Sequence, residues 1–270
     1  MTAEAWPNAC DCHMHIYDDR YPLAATATFT PPNAPVSAYR DVQRELGLTR
    51  VVVIQPTGYG FDNRCTLEGM AALGANARGI CVVPHDVAAE ELQRLHGLGI
   101  RGVRFMMLPG GVLPWSSLAP TAARIASMGW HIGLQLDGRD LPQHEAMLMQ
   151  LPGRIVVDHV GKFLEPVAVD SAAFASLCRI LDRGNVWIKL SAPYETSKRG
   201  APGYEDVAVL ARELAKRFPE RCLWASNWPH PNATPEPPSR AMFEWARACV
   251  GNDAHWKMIL VDNPAEVYGF

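Results

Sequence analysis

Two histidines set two residues apart, His13 and His15, lie in an apolar run from Ala9 to Tyr17. On an extended strand that spacing points both imidazoles to one face. A pair so placed can hold a divalent metal, or can hydrogen-bond a carbonyl oxygen and a substrate carboxylate. The bland alternative is a pair of packed core histidines with local partners. His159 ends a second run, Arg154 to His159 (RIVVDH), and is the best general base or third metal ligand in the chain, unless a backbone carbonyl satisfies it. Its neighbour Asp158 is expected to face the other way, by the same alternation. Another candidate follows the run Cys222 to Ser226: Asn227, in the stretch CLWASNWPHPN that ends at Asn232. Its amide is neutral at every relevant pH and can donate and accept hydrogen bonds, but it cannot take a proton from water as a carboxylate does.

Charged residues inside apolar runs add to the set. Arg104 in GVRF stands where a strand prefers Val or Leu, so its guanidinium either clamps a substrate carboxylate or closes an internal salt bridge. Lys189 in VWIKLS is either inward-facing and catalytic or substrate-binding, or the partner of a neighbouring acid. Gln135, near the end of the run Trp130 to Leu136, and Tyr194 and His230, in loops after later runs, are candidates for binding polar substrate groups.

These residues come from distant parts of the chain, so a fold must gather them. The sequence repeats one unit: a short β-branched run, a turn, then an amphipathic segment of about three turns. Strands are expected at Ala9–Tyr17, Arg50–Thr57, Ala77–Pro84, Arg101–Leu108, Trp130–Leu136, Arg154–His159, Val186–Leu190 and Cys222–Ser226. Helices are expected at Val36–Leu48, Asn63–Leu73, Ala88–Leu98, Ser117–Met128, Leu141–Leu151, Ala172–Leu181, Asp206–Phe218 and Ser239–Val250, with further helix from His255. This alternation predicts the α/β class, a (β/α)8 TIM barrel forming one domain over residues 1–270, with reactive groups at the C-terminal strand ends. The Pro-rich stretch from Tyr21 to Pro35 is too irregular for an element and reads as a lid.

At 270 residues, 48% hydrophobic, with a net charge of -3, the chain can bury one large core and has no basic excess to hold a phosphate backbone. Nucleic acid is therefore not an expected partner. No apolar run reaches bilayer-spanning length, and the opening MTAEAWP lacks the basic and apolar regions of a secretory leader. No membrane partner and a cytoplasmic location are expected. The 7 cysteines are scattered, without a disulfide framework or zinc-ribbon spacing.

DCHMH (Asp11–His15), GVRF around Arg104, VVDHVGKF (Val156–Phe163), ASNWPHPN around Asn227 and the terminal DNPAEVYGF occur in that order. With these motifs, nearly the whole chain resembles the amidohydrolase superfamily, specifically its metal-independent branch of pyrone-dicarboxylate lactonases and galactarolactone isomerases. The resemblance implies a barrel enzyme acting on a small-molecule lactone or dicarboxylate. Metal-dependent members of the superfamily carry further ligands that Gln135, Asn227 and the absence of a histidine on the seventh strand deplete here. No metal or other cofactor is therefore expected; if an ion such as zinc binds, His13, His15 and His159 are its ligands. The lactonases of the branch hold a water-activating Asp at the position of Asn227, whereas the isomerases are similar to this chain in holding Asn. The segments LPGG (Leu108–Gly111), QLDG (Gln135–Gly138) and YE (Tyr194–Glu195) point the same way.

These features predict a lactone isomerase that moves a sugar-diacid δ-lactone to the γ-lactone by intramolecular acyl transfer. A substrate hydroxyl attacks the ester carbonyl, an oxyanion forms, and the ring alkoxide leaves without consuming water. Because nucleophile and electrophile are tethered, effective molarity replaces the need to activate a separate water. The expected roles are His159 as proton shuttle, His13 and His15 with the Asn227 N–H around the carbonyl, and Arg104 with Lys189 on the distal carboxylate. Gln135, Tyr194 and His230 would bind the remaining polar groups. The alternatives are a lactone hydrolase, in which another group activates water or Asn227 replaces a catalytic Asp, and a non-catalytic sugar-acid binding protein.

Overall fold

A computed structural model describes residues 6–231 and 233–270. The first five residues, on which the leader reading rests, and Asn232 at the end of CLWASNWPHPN lie outside the described residues. Eight strands form one sheet in sequence order: β1 Cys10–Met14, β2 Arg50–Ile54, β3 Ala77–Cys81, β4 Ile100–Met106, β5 His131–Gln135, β6 Arg154–Val157, β7 Val186–Leu190 and β8 Cys222–Trp224. All neighbouring pairs are parallel. Beyond β8, Asn227 N donates to His13 O at 2.8 Å and His15 N to Trp228 O at 2.8 Å, closing the sheet into a barrel. Around it run α1 Val36–Leu46, α2 Arg64–Leu73, α3 Ala89–Gly97, α4 Leu118–Ile125, α5 Leu141–Gln150, α6 Ala172–Asp182, α7 Glu205–Arg217 and α8 Ser239–Val250. A helical tail, Asp253–Tyr268, ends the chain, and no helix among the described residues is long and apolar enough to cross a membrane.

Local chemistry accounts for these elements. In α1 the buried Tyr39, Val42 and Leu46 recur at helical spacing, and Gly47 ends the helix at φ 70°, its N–H closing on Gln43 O. In α6 the Ser171 side chain accepts from Phe174 N, capping the first turn. Tyr21–Pro35 forms no helix or strand, its only regular feature being the bridge from Tyr17 to Ala34.

The barrel interior has two layers. The lower one is apolar: Cys10, Cys12, Val52, Ile54, Ile80, Val156, Trp187, Leu223 and Ala225 pack with Val267 and Tyr268 of the tail, which plug the N-terminal mouth. The upper layer is polar, and β1 switches between them by an irregularity. Asp11 pairs with Val51 but Met14 with Val53, so β1 carries one extra residue there. That bulge reverses the alternation: Cys10 and Cys12 face inward below it, His13 and His15 above it.

Asp11 fixes this junction. Its carboxyl accepts from Ser226 N at 2.9 Å, Ser226 Oγ at 2.5 Å, His13 N at 3.1 Å and Tyr39 Oη at 2.9 Å, tying β1 to the chain after β8 and to α1. With each orphaned buried donor costing about 1–3 kcal/mol, Asp11→Ala is expected to lose at least about 3 kcal/mol of stability in urea unfolding. A loss below about 1 kcal/mol would remove this role.

Candidate active site

The C-terminal strand ends open into a cavity of about 1130 Å3. Its inner wall is His15, Arg104, Gln135, His159, Lys162, Tyr194, Glu195 and Asn227, and Tyr17, Thr28 and Phe29 cover it from the side of the expected lid.

Beneath the floor a chain of hydrogen bonds has only one consistent protonation. His15 Nδ1 lies 2.9 Å from the Ile54 carbonyl, which can only accept, so Nδ1 carries the proton. Burial lowers the His15 pKa to about 3, which leaves the ring neutral and Nε2 bare. His13 Nε2, 3.1 Å away, must then donate to it. His13 is neutral too, since burial and the Lys189 charge push its pKa well down against the pull of Asp158. Its bare Nδ1 accepts from Lys189 Nζ at 3.0 Å, and Lys189 also donates to Asp158 Oδ1 at 2.8 Å. Burial alone would raise the Asp158 pKa, but the Lys189 ammonium holds it well below the usual carboxylate range.

This arrangement corrects several expectations. Asp158 does not face away: β6 ends at Val157, Asp158 shares its inward parity with Val156, and a left-handed turn (His159 φ 52°, Val160 φ 56°, Lys162 φ 45°) brings His159 to the cavity as well. Val160 is β-branched, so its positive φ is strain that the site retains, worth about 1–3 kcal/mol. Lys189 is 2% exposed and is the partner of an internal acid instead of a ligand for a distal carboxylate. His13 is fully buried behind His15, outside the cavity wall.

The most compact metal-ligating group among the described residues is His13, Asp158 and His159, with ligand atoms within 4.8 Å of one another; His15 is not in it. These donors do not fit an ion as they stand. Both His13 nitrogens are engaged, and Asp158 Oδ1 accepts from an ammonium that already supplies positive charge there.

A second chain runs across the opposite wall. Asn227 Nδ2 donates to Tyr194 Oη at 2.8 Å and to Glu195 Oε1 at 2.8 Å. Glu195 accepts only, which fixes the orientation of the amide and spends both its N–H bonds. The Asn227 N–H groups are therefore not free for a substrate carbonyl, contrary to the role expected from the sequence. Tyr194 Oη in turn lies 3.1 Å from His230 Nδ1, and His230 Nε2 lies 3.0 Å from Ser239 Oγ. His230 thus stands behind Tyr194, outside the wall, and burial lowers its pKa to about 4. Glu195 also pairs with Lys162, the two side chains being 15% and 12% exposed.

Arg104 and Gln135 stand together on the wall as expected. Arg104 donates to Gln55 O at 2.8 Å and to Gln135 Oε1 at 2.7 Å, and its buried Nε has no partner. With Oε1 engaged, the free donors of Gln135 are its amide N–H groups. His159 lies 2.9 Å from Ser191 Oγ through Nδ1. Burial, opposed by Asp158 but reinforced by the charges of Lys162, Lys189 and Arg104, holds its pKa well below the ordinary histidine value. It is suited to hydrogen bonding as a neutral ring more than to carrying a proton.

Sequence reasoning missed Lys162 as a member of this constellation, turned Asp158 the wrong way, and named Glu195 beside Tyr194 without a role. The signals available for Lys162 and Glu195 were a lysine and an acid directly after β6 and β7. Two further polar residues at strand ends stay out of the wall: the Gln55 side chain binds Thr66 and two loop carbonyls, and His85 is exposed in the turn after β3.

The sequence model of the family described as amidohydrolase matches residues 10–270. A 2-pyrone-4,6-dicarboxylate hydrolase from Comamonas testosteroni is 34% identical over 96% of this chain and 90% of its own length. A D-galactarolactone isomerase from Agrobacterium fabrum is 32% identical over the same shares. An apo crystal structure from Agrobacterium tumefaciens superposes with a TM-score of 0.94 at 32% identity, covering 100% of this chain and 99% of that one. One from Acinetobacter baumannii with citric acid bound gives 0.88 at 25% identity, over 98% and 100%. The eight-stranded barrel, the polar strand ends and these relatives agree: the chain belongs to the amidohydrolase family.

Proposed function

We propose that this enzyme isomerises a sugar-diacid lactone, converting a δ-lactone of the galactarolactone type to the γ-lactone by intramolecular acyl transfer. The observation that carries this reading is Asn227, a fixed amide at the end of β8 with both N–H bonds held by Tyr194 and Glu195. It neither takes a proton from water nor offers a free donor, so it supports no attack by solvent from that position. The relative that is a D-galactarolactone isomerase supports the same choice.

The remaining wall suits a dicarboxylate ester. Arg104, with an unpartnered Nε, and the Gln135 amide are the anchor for a carboxylate, and His159, held by Ser191, is a neutral donor to the lactone carbonyl as its oxygen becomes an oxyanion. The bound citric acid in the Acinetobacter baumannii relative fits a cavity built for carboxylates. Arg104→Met is expected to lower kcat/KM by about 10²- to 10³-fold, mainly through KM, as a desolvated charge pair requires. An unchanged KM would place the substrate carboxylate elsewhere.

Proton NMR of δ-galactarolactone incubated with the enzyme tests the function. Conversion to the γ-lactone above background is expected; release of the open diacid marks a hydrolase, and a saturable shift without turnover marks a binding protein.

A further inference from the structure

We propose that Glu195 and Lys162 are the proton-transfer pair of this site: Glu195 takes the proton of the attacking substrate hydroxyl, and Lys162 gives one to the departing ring oxygen. The assignment rests on the isomerase reading above and names the groups that the reaction still lacks.

Among the described residues lining the cavity there are three carboxylates, and Glu236 and Glu244 are exposed at its rim. Glu195 alone is largely withdrawn from solvent, and it is aimed by Asn227, whose amide holds Oε1 at 2.8 Å. Its other oxygen pairs with Lys162, which also lines the cavity. Asn227 is then a positioning residue for a base one loop away. The charges nearest Lys162 are Glu195, Arg104 and Asp158. Burial first, then the Arg104 charge, lowers its pKa, while the carboxylates of Asp158 and of its partner Glu195 pull the other way. The rival carrier, His159, faces three cations that oppose its protonation.

The step balances within the pair. The substrate O–H bond breaks to Glu195 as the hydroxyl oxygen bonds to the carbonyl carbon. The old C–O bond then breaks, and the leaving oxygen takes a proton from the Lys162 ammonium. Transfer of the proton from Glu195 to the Lys162 amine across their hydrogen bond restores the starting state, with no proton exchanged with solvent. Water competes poorly for the same base because the tethered hydroxyl has an effective molarity of about 10⁵–10⁸ M.

Two variants test this in the full-length enzyme with δ-galactarolactone followed by NMR, with thermal unfolding as a check of folding. Glu195→Gln keeps an oxygen for the Asn227 amide but removes the base, and kcat should fall about 10²- to 10⁴-fold with KM within about threefold. Lys162→Arg keeps the charge and the ion pair but does not release its proton near neutrality, so it should show a comparable loss instead of rescue. A folded Glu195→Gln enzyme retaining kcat within about threefold, or full activity in Lys162→Arg, would overturn the assignment. If the wild-type enzyme yields open diacid, the isomerase reading fails by itself, while the Glu195→Gln comparison still reports whether Glu195 is the base.

Discussion

Lys189→Met is expected to destabilise the fold by about 3–5 kcal/mol, the cost of leaving one member of a buried ion pair without its partner. Lys189 donates to Asp158 and to His13 with both charged side chains 2% exposed, so the variant leaves the Asp158 carboxylate buried without its cation. The pH dependence follows from the sign of the shift. In the native protein the Asp158 pKa is held below its unfolded value, so the stabilisation is present above the unfolded value and is lost as pH falls through the lower folded one. In the variant, burial dominates and the folded pKa rises, so stability decreases as pH increases through the carboxylate range. The gap between the two proteins should therefore be widest near neutrality and shrink in acid. Removing both charges, Lys189→Met with Asp158→Leu, should recover most of the loss. Urea unfolding checks all three: a single-variant loss below about 1 kcal/mol, or a double variant no better than the single, would remove the internal-cation role.

The second large effect is a gain. Asn227→Asp should raise lactone hydrolysis by about 10²- to 10⁴-fold, the range a positioned general base contributes. The new carboxylate would stand where Asn227 now donates to Glu195 at 2.8 Å, turning a hydrogen bond into a contact between two acids. The pair would share a proton, with one pKa raised well above the ordinary carboxylate value. Hydrolysis should accordingly increase with pH as that last proton leaves. Measured release of open diacid checks this, and an unchanged hydrolytic rate across pH would show that the end of β8 does not address the lactone carbonyl.

The barrel was legible in the sequence because each strand and helix buries one face, so period and chemistry agree; β7 was placed at its observed bounds and the other strands were overestimated at one or both ends. The inward direction of His13 and His15 was legible from their spacing, but the bulge that produces it was not, since Cys10 and Cys12 obey the opposite parity. Asp158 was misplaced because its direction was inferred from His159; Asp158 itself is extended (φ -81°) and keeps the parity of Val156, and the positive φ begins only at His159. Lys162 and Glu195 sit in loops, where no periodicity relates sequence to direction, and their meeting is set by the closure of β6 and β7 side by side. Asn227 was found by its type, but the fate of its two N–H bonds depended on that same unseen neighbour.

The central claim is that the acyl group passes between two oxygens of the substrate and never to water. Turnover of the δ-lactone in oxygen-18 water, with mass spectrometry of the product, tests it most directly. The account predicts γ-lactone at natural isotope abundance; oxygen-18 in the product carboxyl or ring, at a rate matching turnover, would contradict it.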